Sequence, residues 1–399
     1  MKTILESIET PAYWGGSPAF EERFRFISPL LPPLDEVWEE YRAAYEGGII
    51  TNAACVRRFE EQSSAYLGVR DCVGVSSCTS GLTLVMRALG LAGEVIVPSF
   101  TFFATAHAIR WNGLTPVLVD CDRETWNVDP ADVEQKITTR TSTILAVHMY
   151  GNPANVDVLT SLARKHNLKL IFDAAHAFGS QRRGAPVGQF GDAEVFSLSP
   201  TKLLVAGEGG LVATADPALA RAIRLMRNYG DDGSYDPQFL GQNARLGEFN
   251  AALGLRGLPL VDSKVERRNQ IARLYVEGLS GLPGVTFQKV DHGDRNTYKD
   301  FSIHVNSDLF GCTRDQLAVA LLAENIETKK YFYPPLHKQT LYREFEKSAL
   351  PNTNYVADNV LSLPIYETLP DSTIARIVDC IKRIQCFAAY RSFDTNPKC

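Results

Sequence analysis

The sequence predicts an α/β protein: a large domain with a mostly parallel central sheet flanked by helices, followed by a smaller α+β domain. Three observations carry this. Short β-branched runs recur between residues 94 and 214, with amphipathic helical stretches between most of them, as in a sheet covered on both faces. The chain of 399 residues is long enough for one large or two smaller domains. The residues with chemical potential sit just after the strand-like runs, where open α/β sheets bind ligands.

In chain order, residues 1–50 read as a leader and a helix. PPLDEVWEEYRAAYEGG has helical apolar spacing and stops at Gly-Gly. From residue 56, RRFEEQSSAYLG reads as a helix, CVGVS as a strand and GLTLVMRALGL as a helix. The runs EVIVPS (94–99), TPVLVD (115–120), TSTILAVHM (141–149), LKLIFDAA (168–175), AEVFSLS (193–199) and GGLVAT (209–214) read as strands. TAHAIRWNG, PADVEQKI and NVDVLTSLARKHN read as helices between them. Residues 249–282 predict a long helical stretch bridging to the smaller domain. There FSIHV (301–305) reads as a strand, and TRDQLAVALLAEN and DSTIARIVDCIKRIQCFAAY as helices. The expected division is 1–50, an N-terminal segment and helix; 51–260, the large domain; and 261–399, the small one. There is no internal repeat and no low-complexity tract.

At 45% hydrophobic and 22% charged, the chain can bury a sizeable core. A net charge of −5 offers no basic field, so nucleic acid is not an expected partner. No apolar run approaches the ~18–20 residues that span a bilayer. Glu6 and Glu9 lie where a signal peptide needs its apolar stretch, so a cytoplasmic protein is expected. The eight cysteines, Cys55, Cys72, Cys78, Cys121, Cys312, Cys380, Cys386 and Cys399, form no CxxC pair, and free thiols without a metal site are expected.

Lys202 stands out. It lies in SLSPTKLLVAGEGG with no acid within five residues. A lysine in an apolar cleft is more easily neutral and nucleophilic. Asp173 ends the run LKLIF, and a buried carboxylate there needs a partner or an upward pKa shift. His176, three residues on, reads by itself as a satisfied core histidine. SCTSG (77–81) puts small and hydroxyl residues at a strand–helix turn, a place for an anion as well as an ordinary tight turn. Phe102 and Phe103 follow EVIVPS, and one of them could lie flat on a planar ring. Together these suit a flat heterocycle with a phosphate, a basic ring nitrogen and an aldehyde. Pyridoxal 5'-phosphate has these parts: Asp173 would keep the pyridine nitrogen protonated and Lys202 would hold the aldehyde as a Schiff base.

The chain resembles the DegT/DnrJ/EryC1/StrS family of nucleotide-sugar aminotransferases, which have the aspartate aminotransferase fold (fold type I). The likeness runs from TN…RFEEQSSAYLG at 51–68 to LSLPIYETL at 361–369. It includes SSCTSGL, VIVPSFTFFATA, GLTPVLVDCD, HMYGNP, FDAAHAFGS, SLSPTKLLVAGEGG, MRNYG, GQNARLGE and YPPLH. The resemblance implies Lys202 as the Schiff-base lysine that shuttles protons and Asp173 at the pyridine nitrogen. It puts His176, where Gln is common, near the ring hydroxyl and Phe102 against the ring. Thr79, Ser80 and Ser197 are implied at the phosphate, and Asn228 there from a neighbouring subunit, hence a homodimer with shared sites. Tyr333, His337, Asn243 and Arg245 match segments near the substrate pocket. Cys78 departs from a common glycine.

What the resemblance implies is transfer of the amino group of L-glutamate to a nucleotide-linked 4-keto-6-deoxysugar, with C4 of a dTDP-sugar as the leaning. The alternatives are amination at C3, a pyridoxal-phosphate-dependent sugar dehydratase, and a cofactor-binding regulator without turnover. Lys202 speaks against the dehydratase branch that carries histidine instead.

Overall fold

The computed structural model describes residues 9–345, 348–391 and 393. Glu6 and Cys399, used above, lie outside them. The strand-like runs pair much as their composition suggests. In chain order they are β1 (Asp71–Val75), β2 (Glu94–Pro98), β3 (Thr115–Val119), β4 (Thr141–Val147), β5 (Lys169–Asp173), the two-residue pair β6 (Gln181–Arg182) and β7 (Ala185–Pro186), β8 (Ala193–Ser197) and β9 (Gly210–Thr214). Seven of them form one sheet in the order β1-β9-β8-β5-β4-β2-β3.

Five neighbouring strands of that sheet run parallel, while β9 runs antiparallel to both β8 and β1. The reversal matters for the site. Ser197 pairs with Gly210, so the chain leaves β8 and re-enters the sheet beside the same edge. Everything between, Lys202 included, is kept at the carboxyl end of β8. A parallel β9 would have needed a crossover carrying the chain back to the other edge.

Fully apolar strands such as Val95–Val97 and Leu170–Phe172 are buried on both faces. One face is covered by the helices Cys78–Ala88, Phe103–Trp111 and Pro217–Met226, with Leu82, Val85, Ile109 and Ile223 in one cluster. The other carries Ala54–Leu67, Glu248–Gly257 and Val156–Lys165, whose Phe59, Leu255 and Leu159 meet the sheet in two clusters. Each such side chain contributes about 1.5–3 kcal/mol on burial.

A second, antiparallel sheet comprises β10 (Val285–Phe287), β11 (Phe301–Val305) and β12 (Val360–Leu363). Its core joins Tyr275, Phe301, Ile303, Leu361 and Ile381 to the helices Val261–Leu279, Arg314–Ala323 and Asp371–Ala388. The helical stretch expected over 249–282 is two helices, broken by a 3-10 turn at Leu258–Leu260. Pro259 lacks the N–H that a continuous helix would use there.

Candidate active site

The turns after β1, β2, β4, β5 and β8 converge at the carboxyl edge of the large sheet on a cleft of about 330 Å³. Thr79, Phe102, Asp173, His176, Ser197 and Lys202 all line it.

Asp173 ends β5 and is buried. Its Oδ2 accepts a hydrogen bond from the Thr105 hydroxyl at 2.7 Å, and its Oδ1 accepts the Ala175 amide at 3.1 Å. Burial pushes its pKa up, and the Thr105 hydroxyl, the Ala175 amide and the nearby Lys202 pull against that rise. The result is a desolvated carboxyl group held in one orientation, facing a cleft in which a cation would stabilise it.

Lys202 is partly exposed, and it is the cleft that it lines. Its backbone amide is tied to the Ser199 carbonyl at 3.0 Å. The surrounding protein, with the Lys299 ammonium adding to it, lowers its pKa from 10.5 to about 8; Asp300, Cys78 and Asp173 act in the opposite sense. Its amine is therefore substantially neutral at mildly alkaline pH.

His176 is more than a core histidine. Its Nδ1 accepts the Tyr150 amide at 3.2 Å, with Tyr150 in the left-handed region at φ 60°. Burial and the charges of Lys202 and Lys299 hold its pKa well below the usual value. The ring is thus neutral with its proton on Nε2, a donor available at the cleft. Phe332 stacks on it at 6.1 Å with rings 15° apart. Phe102 is 45% exposed and lies 5.9 Å from Phe332, so the cleft has aromatic surfaces from two distant stretches of chain.

Helix Cys78–Ala88 opens at the cleft. Ser77 and Ser80 form a reciprocal cap: Ser77 Oγ accepts the Ser80 amide and Ser80 Oγ accepts the Ser77 amide. The first-turn amides of Cys78 and Thr79 have no intrahelical partners, and together with the helix dipole they suit an anion. Gly210 of β9 permits this approach, since a Cβ there would lie 2.5 Å from the Ser77 carbonyl carbon.

Not every candidate converges. Ser80 gives its hydroxyl to the cap and does not line the cleft. His337 is buried, with Nδ1 2.7 Å from the Ser99 hydroxyl and Nε2 3.1 Å from the Asn354 side-chain oxygen. Both ring nitrogens are engaged within the protein, so it pins its loop rather than reaching a pocket. Tyr333 is half-exposed beside the cleft, over the Arg314 guanidinium at 4.9 Å, and lines an outer hollow with Phe102 and Phe332. Asn228, Asn243 and Arg245 gather elsewhere. Arg245 donates to the Asn228 side-chain oxygen at 2.8 Å, Asn228 and Asn243 form a bridge, and none of the three lines this chain's cleft.

Several contributors were missed by the sequence reading. Thr105 lies in the first turn of helix Phe103–Trp111, and only knowledge of the Asp173 contact reveals it. Lys299 enters from the second sheet, just before β11, paired with Asp300 at 2.9 Å. Its one signal was a Lys-Asp pair abutting an apolar strand. Tyr331 and Phe332 precede Tyr333 in a motif that had drawn attention only to its tyrosine and histidine. Among the described residues no helix is long and apolar enough to cross a membrane, no metal-ligand cluster occurs, and the seven cysteines are free.

The profile of the DegT/DnrJ/EryC1/StrS aminotransferase family matches residues 35–382. A UDP-N-acetyl-3-dehydro-alpha-D-glucosamine 3-aminotransferase from Acidithiobacillus ferrooxidans is 38% identical over 330 residues, covering 82% of this chain and 88% of its own. A dTDP-4-amino-4,6-dideoxy-D-glucose transaminase from Escherichia coli is 34% identical over 355 residues, covering 88% and 94%. Among solved structures, DesI in the presence of its TDP-sugar product superposes with a TM-score of 0.89 at 38% identity, covering 95% of this chain and 96% of that one.

Proposed function

The chain belongs to the DegT/DnrJ/EryC1/StrS aminotransferase family, and from this we propose that it uses pyridoxal 5'-phosphate to move the amino group of L-glutamate onto the ketone of a nucleotide-linked 4-keto-6-deoxysugar. C4 of a dTDP-sugar is the preferred position, and the products are an aminodeoxysugar nucleotide and 2-oxoglutarate. The observation that carries the reading is the pairing of a lysine with a lowered pKa, Lys202, with a buried, oriented carboxyl group, Asp173, across one cleft.

The residues present fit the cofactor. The cleft has room for a flat ring, aromatic surfaces to lie against it, and open helix N-terminal amides for its phosphate. When bound, the cofactor supplies an electron sink that eases removal of a proton from the carbon bearing nitrogen. Asp173 holds a negative charge where the ring nitrogen needs one. Thr79, Ser197 and the first-turn amides bind the phosphate. His176 donates from Nε2 to the ring oxygen. Lys202, with a pKa of about 8, takes up a proton at Nζ and returns it, as a general base and acid matched to its working pH.

Asn228, Asn243 and Arg245 serve the cleft of a second copy in a homodimer, a reading supported by their grouping away from their own. A cytoplasmic setting suits the free cysteines. A second reading, amination at C3, is favoured by the relative from Acidithiobacillus ferrooxidans.

The test is to incubate the purified protein with pyridoxal phosphate, glutamate and a panel of nucleotide ketosugars, then locate the new C–N bond by NMR. An amine at C4 supports the preferred position and one at C3 the second reading. Loss of water instead of gain of nitrogen, or a visible band that glutamate does not change, rejects the aminotransferase reading.

A further inference from the structure

Among the described residues, two ammonium groups line the cleft, Lys202 and Lys299, and no arginine does. Lys202 is committed to the cofactor. The amino donor brings carboxylates, and among the described residues lining the cleft itself Lys299 is the other cation, with Lys329 and Lys330 lining only the outer hollow. We propose that Lys299 anchors a carboxylate of the amino donor and so helps set donor specificity; this rests on the aminotransferase reading above.

The construction around Lys299 fits an anchor better than a stray charge. Lys299 and Asp300 are both buried. Asp300 engages the ammonium with both oxygens, at 2.9 and 3.1 Å, which leaves the third hydrogen for another acceptor. The Tyr331 ring lies 5.2 Å from Nζ. The backbone is fixed as firmly: the Lys299 amide donates to the Tyr150 carbonyl at 2.9 Å, and buried Arg268 donates to the Lys299 carbonyl at 3.1 Å. Arg268 is itself locked to Glu367 at 2.7 Å. Lys299 also disfavours positive charge on both Lys202 and His176. It is therefore a positioned cation beside Lys202 and His176, whose own positive charge is disfavoured, and an incoming carboxylate would share it with Asp300. A charge-assisted hydrogen bond in such a site is strong and directional.

The test uses the cofactor-loaded protein and glutarate, a dicarboxylate without an amine, with binding read as a perturbation of the visible absorption band. Lys299→Met combined with Asp300→Asn removes both charges and leaves no buried ion unpaired. Glutarate binding is expected to weaken at least about tenfold while dTDP binding, measured by calorimetry, stays within about twofold. Unchanged glutarate affinity, or equal weakening of glutarate and dTDP, overturns the proposal. If the double variant does not take up cofactor, Lys299→Arg decides. It keeps the charge but moves the donors, so the glutarate-to-succinate affinity ratio is expected to shift by at least about threefold, and an unchanged ratio overturns the proposal. Wild-type protein whose visible band responds to glutamate, alongside a double variant that binds glutarate normally, sinks this proposal alone. A wild-type band indifferent to glutamate sinks the aminotransferase reading beneath it.

Discussion

The neutral amine of Lys202 can be measured in the cofactor-free protein by its pH-dependent reactivity. Its pKa lies near 8 rather than 10.5, chiefly because the protein enclosing the cleft strips water from the ammonium and next because Lys299 adds like charge. Only the neutral amine attacks an acyl donor, so reactivity follows the neutral fraction. At pH 8 about half of Lys202 is neutral, against roughly one in 300 for a lysine titrating at 10.5. Between about pH 7 and about pH 9 its reactivity should rise about tenfold and then level off, whereas an ordinary lysine climbs about 100-fold over that span and continues rising. Competitive labelling with trace acetic anhydride, read peptide by peptide by mass spectrometry, gives this profile with exposed lysines as internal references. A Lys202 profile parallel to theirs through about pH 10 would refute the reasoning.

Other perturbations read other parts of the site. Thr105→Val removes the hydroxyl held 2.7 Å from Asp173; it should cost about 2 kcal/mol in urea unfolding and weaken cofactor retention on dialysis. Gly210→Ala places a methyl 2.5 Å from the Ser77 carbonyl carbon, so a loss of about 1–3 kcal/mol and lower phosphate affinity are expected, the latter measured by calorimetry with inorganic phosphate. Arg227→Met removes one of the two cations paired with Glu60, leaving Arg224 at 3.6 Å from its other oxygen and the Gly74 amide at 2.8 Å; the thermal midpoint should fall with a loss of about 2 kcal/mol.

Much of the large sheet was legible because strands buried on both faces carry unbroken apolar runs, as Val95–Val97 and Leu170–Phe172 do. The direction of β9 was not, since GGLVAT reads alike whichever way it runs; the Ser197–Gly210 pairing decides it in three dimensions. β10 and β12 were missed because they are three and four residues long, and Pro364 follows β12 at once. Around the cleft, residues at a strand's carboxyl end or a few positions beyond it, such as Asp173 and Lys202, could be found by position. Thr105 and Lys299 could not, because they arrive from a helix turn and from the second sheet through tertiary packing. His337 shows the opposite failure: a residue type suited to chemistry that the fold spends on Ser99 and Asn354.

The most direct test loads the protein with pyridoxal phosphate, reduces it with borohydride, digests it and locates the pyridoxyl group by mass spectrometry. The expected result is one modified lysine per chain, Lys202. A pyridoxyl group on Lys299, scattered labelling of surface lysines, or no stable label would contradict the role given to the Lys202–Asp173 pair.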